Sequence, residues 1–194
     1  MTPEREKKIR SVIGSRQAGL LLVLEDIHDP HNAQAIARTA DAFGIQDIWL
    51  VFEQEKPWNP RRVGKSSSSS ANKWLSFRKF KTATDCMHSL RRARYQILVT
   101  TLERGAKDLY QTKLINAKLA IVVGNEHRGV SEAFLKTADR LVSIPMRGFV
   151  ESLNVSVAAA LIVAEVVRQR SKSKKNYQLT KTEQKKLFRE LRKK

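Results

Sequence analysis

The stretch Ile121-Val122-Val123-Gly124-Asn125-Glu126-His127-Arg128-Gly129-Val130 decides the fold class. It closes an apolar run that begins at Leu119 and breaks at once into a polar loop bounded by two glycines. A run this short, with no polar alternation, suits a strand buried on both faces, as in a parallel sheet. Gly124 and Gly129 permit close backbone approach or a positive φ. In open α/β sheets, the loops beyond strand carboxyl ends are where ligands bind.

The same grammar recurs on either side. Leu20–Leu24, Ile48–Phe52, Tyr95–Thr101 and Leu141–Ile144 read as further short strands, with more strand material near Trp74–Phe80. Between them, helices are expected over residues 4–17, Ala33–Phe43 with Asn32 as its N-cap, Thr84–Ala93, Val130–Thr137 and Ser152–Arg170. Strands alternating with helices predict an α/β fold, a mostly parallel sheet flanked by helices. Residues 53–73 read as loop, with Pro57, Pro60, Gly64 and the serine run Ser66–Ser70.

The chain has 194 residues, 37 of them Lys or Arg and 19 Asp or Glu, for a formal charge of +18. A length of that order suits one compact domain with small appendages. The charge is uneven. Arg168–Lys194 holds twelve basic and two acidic residues, and Met1–Gly19 five and two, so the ends carry +13 and residues 20–167 only +5. Three segments follow: a basic helical extension (1–19), a core (20–168) and a basic tail (169–194), the tail expected to order only on binding RNA or a partner subunit. Basic ends around a near-balanced middle resemble arms that track phosphates.

Hydrophobic residues at 41% and charged residues at 29% suit a packed core. Apolar runs fall well short of the ~20 residues that span a bilayer. MTPEREKKIRSVIG lacks the apolar stretch of a signal peptide. The expectation is a soluble, cytoplasmic protein without membrane contact. The single cysteine, Cys86, excludes an intrachain disulfide and a cysteine-cluster metal site. Val63-Gly64-Lys65-Ser66 imitates the end of a phosphate-binding loop, but Asn59 stands where that motif needs its first glycine, and Pro60 sits where backbone amides would be required. Lys65 and the serines read better as a loop able to touch substrate phosphates. His28, His31, His88 and His127 lack metal-ligand spacing, so no metal is expected. A nucleophile elbow and a dinucleotide fingerprint are both missing.

Two more segments carry chemistry. His31-Asn32-Ala33-Gln34-Ala35-Ile36-Ala37-Arg38-Thr39-Ala40 sets polar groups among small residues. Asn32 and Arg38 are six positions apart, which puts them ~120° from facing each other on a helix, yet both can border one cavity. Ile144-Pro145-Met146-Arg147-Gly148-Phe149-Val150-Glu151-Ser152-Leu153-Asn154-Val155-Ser156-Val157-Ala158 again runs from strand through loop to a helix of small residues. Ser152, Asn154 and Ser156 either cap that helix or hydrogen-bond something beyond it.

Together the three segments resemble, in order and spacing across residues 20–168, the signature motifs of the SPOUT methyltransferases, in particular the SpoU/TrmH branch of RNA ribose 2′-O-methyltransferases. The short basic extensions look most like the tRNA-modifying TrmH subgroup. The resemblance implies an α/β fold with a C-terminal deep trefoil knot, and S-adenosylmethionine as cofactor in loops at Thr100–Leu102, Gly124–Gly129 and Ile144–Leu153. By position, Thr100, Leu102, Gly124, Ile144, Met146 and Leu153 bind it. It also implies Arg38 as central catalytic residue, supported by Asn32, Glu126, Ser152 and Asn154. The substrate would be a ribose 2′-hydroxyl of RNA, in tRNA a D-loop guanosine (guanosine-18). The enzyme would act as a homodimer, with Arg38 completing the partner subunit's site and the small residues of Ser156–Ala164 suited to that interface. The alternatives are a ribosomal RNA 2′-O-methyltransferase, or a non-catalytic RNA-binding or assembly protein on the same fold.

Overall fold

Each strand expected from an unbroken apolar run is present in the computed structural model, which describes residues 1–61 and 71–194. Lys65 and the serine run lie outside the described residues. The strands are β1 (Leu20–Glu25), β2 (Asp47–Val51), β3 (Ser76–Phe80), β4 (Gln96–Thr100), a two-residue β5 (Lys107–Asp108), β6 (Leu119–Val123) and β7 (Arg140–Ser143). The helices are α1 (Pro3–Gly14), α2 (Pro30–Ala42), α3 (Ala71–Trp74), α4 (Ala83–Arg92), α5 (Glu132–Thr137), α6 (Val155–Ser171) and α7 (Lys181–Leu191).

The strands form one sheet in the order β3-β2-β1-β6-β4-β7-β5, with every described pairing parallel. Both faces are covered, which is why the strand sequences do not alternate. Leu20, Leu22 and Leu24 of β1 join a core with Ile36 and Ala40 of α2 and Ile162 and Val166 of α6. Leu21 and Val23 face the other way, with Ala120 and Val122 of β6, onto Cys86 and Leu90 of α4 and Phe134 of α5. The chain leaves β1 in one direction through β2 and β3, then returns so that β6 slots between β1 and β4. That reversal places a crevice at the carboxyl ends of β1, β6 and β4.

Two expectations need correction. Asn32 is not the N-cap of α2. Asp29 is: its Oδ1 accepts the His31 N–H at 2.8 Å, and Pro30 occupies the first helical turn, where its missing N–H costs nothing. α6, expected from Ser152, starts later, at Val155, capped by Asn154, whose Oδ1 accepts the Ser156 N–H at 2.8 Å. The C-terminal tail holds a helix that packs on the N-terminal one. α7 opens on a capping box of Thr180 and Glu183 and lays Leu187 and Leu191 against Ile9 and Ile13 of α1.

The two basic ends are thus one helical pair. Arg10 stacks on the Phe188 ring at 4.1 Å, and the Lys194 Nζ donates to the Leu75 carbonyl at 3.3 Å. Trp74 packs against the pair and Leu75 immediately precedes β3, so the pair sits at the amino ends of the strands on the β3 side. Buried Arg170 pins the junction by donating to the carbonyls of Ala18 (3.0 Å) and Asn116 (2.9 Å) beneath the Tyr177 ring. Burial pulls its pKa down to about 10, well short of discharging it at neutral pH.

Candidate active site

Gly124 and Gly129 answer two different needs. A Cβ on Gly124 would lie 2.3 Å from the Gly129 carbonyl oxygen, so that position requires close approach. Gly129 instead has φ +71°, in the left-handed region that glycine enters without strain. Between them, Asn125 and Gly129 exchange two backbone hydrogen bonds of 2.9 Å each. The turn is further tied by the buried Asn125 side chain. Its Oδ1 accepts the N–H groups of His127 (2.9 Å) and Arg128 (3.0 Å), and its Nδ2 donates to the Asp26 carbonyl at 2.7 Å.

This turn presents Glu126 to two other segments. Its carboxylate accepts the backbone N–H of His28 at 2.8 Å, that of Asp29 at 3.2 Å and the Asn32 Nδ2 at 2.7 Å. The Asn32 Oδ1 in turn accepts from the Asn154 Nδ2 at 3.0 Å. Glu126, Asn32 and Asn154 therefore form a continuous chain joining the β6–α5 loop, the first turn of α2 and the cap of α6. Because Asp29 does the capping, the Asn32 amide is released for this cross-link.

Beside that chain lies a cavity of about 540 Å³, within the range of small-ligand sites. It opens at the carboxyl ends of β4, β6 and β7. Thr100, Leu102, Gly124, Ile144, Met146 and Leu153 all line it, as do Glu126 and Ser152. Asn32 and Asn154 stand outside the lining, linked to it through Glu126. Arg38 is in neither group. It is exposed on α2, about a third of a turn around the helix from Asn32, and among the described residues it makes no hydrogen bond or ion pair.

Several supporting residues carry weaker sequence signals. Asp26, at φ +48°, accepts the N–H groups of Glu53, Gln54 and Glu55 (2.8–3.1 Å) and fixes the loop after β2. Glu55 then meets Arg128 at 2.8 Å and His28 at 3.3 Å, and those partners lower its pKa, Arg128 most. Buried Glu25 accepts the Ser131 N–H at 2.9 Å, holding the far end of the glycine-bounded turn. Its burial raises its pKa against the opposing pull of Ser131. The available signal was a carboxylate pair, Glu25-Asp26, at the mouth of a strand buried on both faces.

An open parallel sheet with a ligand-sized cavity at the carboxyl ends of its strands places the chain in the small-molecule-binding α/β class. Residues 19–164 match the SpoU rRNA Methylase family, and the chain belongs to it. It is similar to the tRNA (guanosine(18)-2′-O)-methyltransferase of Escherichia coli K12, with 35% identity over 192 residues, 97% of this chain and 82% of the relative. Among solved structures, the TrmH/SpoU tRNA modifying enzyme of A. aeolicus superposes with a TM-score of 0.87 at 28% identity, covering 97% of this chain and 94% of that one. The SpoU methyltransferase AviRb from Streptomyces viridochromogenes, in complex with the cofactor AdoMet, gives a TM-score of 0.72 at 27% identity over 84% of this chain and 62% of that one. The chain is an S-adenosylmethionine-dependent RNA methyltransferase by this membership.

The cavity suits that cofactor. Ile144, Leu153 and Ile162 supply an apolar wall for a flat heterocycle, Thr100 and Ser143 offer hydroxyls, and Glu103 and Glu126 add anionic groups that favour a cationic ligand.

Proposed function

We propose that this protein methylates the ribose 2′-hydroxyl of guanosine-18 in tRNA, acting as a cytoplasmic homodimer with a knotted C-terminal region. The single observation that carries the reading is the convergence of Thr100, Leu102, Gly124, Ile144, Met146 and Leu153 on one cavity, cross-linked through Glu126 to Asn32 and Asn154. The nucleotide comes from the likeness to the E. coli tRNA (guanosine(18)-2′-O)-methyltransferase.

In this reading those six residues hold the cofactor, whose sulfonium supplies an electrophilic methyl group. The chain's own task is to bring a 2′-hydroxyl oxygen to attack distance, ~3–3.5 Å, and to manage its proton. Glu126 and Asn32 order the loops around that point, and Ser152 and Asn154 border it from the α6 side. Arg38 offers five N–H donors in a planar fork and no acceptor. Its role is to grip the neighbouring phosphate and stabilise the developing alkoxide, while the proton leaves to phosphate or water. An exposed, unpaired guanidinium outside its own chain's cavity suits service to the partner subunit's site. Val157 and Leu161, exposed on α6, supply apolar surface for such a dimer. The paired basic ends, α1 with α7, grip the tRNA backbone.

The test is to incubate the protein with labelled S-adenosylmethionine and unmodified tRNA transcripts, then map the methylated ribose. Label confined to the ribose of guanosine-18 is expected. Label only in ribosomal RNA, or none in any RNA, overturns the assignment.

A further inference from the structure

The core carries a second basic surface, on β3 and α4. Residues 76–94, which make β3 and α4, hold six basic residues and one acidic residue, a net of +5. That equals the whole excess of residues 20–167, so the rest of the core is balanced. Of the six, Arg91 is committed to Asp139 at 2.6 Å, and Lys79 donates to the Trp58 carbonyl at 2.7 Å. Among the described residues Lys81, Arg92 and Arg94 have no acidic partner.

The arrangement is more than a scatter of cations. Arg78 lies on the edge strand with its guanidinium 4.6 Å from the Phe80 ring and 5.0 Å from that of Trp49, and it donates to the Ser89 Oγ at 3.3 Å. Two aromatic faces and a hydroxyl thus hold the planar group in one pose, reducing the entropy lost on binding an anion. Beside it, His88 and Arg92 share one face of α4 at a four-residue spacing. Together with Phe80, Asp85 and Ser89 these side chains line a groove of about 500 Å³. Asp85, its one acidic residue, is engaged at the helix start by the Thr82 hydroxyl at 2.8 Å.

We propose that this β3–α4 groove binds a phosphodiester of the RNA backbone, with Arg78, His88 and Arg92 as donors. A fixed guanidinium fork matches phosphate oxygens in pairs. The location adds a reason. α4 returns from the carboxyl end of β3 toward the amino end, a span of ~15 Å for ten residues. The cavity lies at the carboxyl ends of the strands and the α1–α7 pair at the amino ends, so the groove flanks the route between them. The inference rests on RNA being the substrate.

The test compares Arg92→Glu and Arg78→Lys with Lys113→Glu, which matches the charge change of Arg92→Glu at an exposed site away from the groove. Each variant is first checked for native melting. Affinity for a short fluorescent RNA duplex is then measured against KCl concentration, and steady-state methyl transfer against tRNA concentration. Arg92→Glu should weaken duplex binding roughly tenfold and reduce the salt slope by about 1, the signature of one lost phosphate contact. KM for tRNA should rise with kcat unchanged. Arg78→Lys should lose several-fold despite keeping its charge, and Lys113→Glu less than twofold. Equal losses for Arg92→Glu and Lys113→Glu, or a fall in kcat alone, overturn the proposal. If wild-type protein transfers no methyl to tRNA, the assignment of function falls, while the duplex measurement still decides the groove.

Discussion

Gly124→Ala probes whether the glycine-bounded turn builds the cavity. The added Cβ would sit 2.3 Å from the Gly129 oxygen, 2.4 Å from its carbonyl carbon and 2.6 Å from the Val130 nitrogen. All three are backbone atoms, so no side chain can swing aside. Since comfortable carbon contacts lie near ~3.5 Å, the two backbone segments must part by about 1 Å. That separation carries the two 2.9 Å Asn125–Gly129 hydrogen bonds beyond useful length. Losing them costs about 1 kcal/mol each, and the residual overpacking about 1–3 kcal/mol more. The total, about 3–5 kcal/mol, corresponds to a Tm lower by roughly 10 °C in a chain of this size. Calorimetric titration of S-adenosylmethionine should show affinity reduced at least about tenfold, because the displaced turn lines the cavity. Gly148→Ala is the control: its Cβ meets nothing within 4 Å. If Gly124→Ala melts with wild type and binds S-adenosylmethionine equally well, the close-approach argument is wrong.

Arg38→Lys keeps a positive charge but loses the planar fork, so turnover should fall about 100-fold with S-adenosylmethionine affinity unchanged; near wild-type turnover in the methyl-transfer assay would sink the bidentate grip. Glu25→Gln removes a carboxylate whose burial raises its pKa above the unfolded value of 4.5. Folding therefore favours its protonated form, and the penalty for burying the charge grows as pH rises past 4.5. The Tm of Glu25→Gln relative to wild type should increase between pH 5 and pH 7, and a constant difference across melts at those pH values contradicts the reasoning. Deleting residues 172–194 removes Leu187 and Leu191 from Ile9 and Ile13 and strips much of the basic tail. Binding to tRNA should weaken and its salt dependence flatten, with calorimetric S-adenosylmethionine affinity within about twofold of wild type because the cavity is distant; an unchanged salt slope would remove the terminal helices from the RNA interface.

The strands were the most legible part of the fold. Leu20–Leu24 and Leu119–Val123 are apolar on both faces because helices cover both sides of the sheet. Helix starts were less legible wherever two polar residues competed for the cap. At α2 both Asp29 and Asn32 are good caps, and Pro30 settles the matter by favouring an extended Asp29 and a helical start one residue later. The tail was less legible for a different reason. Its charge run hides Leu187 and Leu191, which recur at helical spacing among the lysines and meet Ile9 and Ile13 from the other end of the chain.

Local chemistry, then, was determined by the sequence alone: short apolar runs became strands, and Gly124 and Gly129 marked a tight polar turn. These depend on interactions within a few residues, whose geometry is nearly the same in any fold. What met what was decided only by tertiary structure. The Asn32–Glu126 contact joins positions 94 apart and Asn32–Asn154 positions 122 apart. Whether such polar groups cap their own helices or cross-link three loops depends on the strand order β1-β6-β4, which sets the loops side by side. The same order leaves Arg38 outside its own chain's cavity and brings both basic ends together at the opposite edge of the sheet.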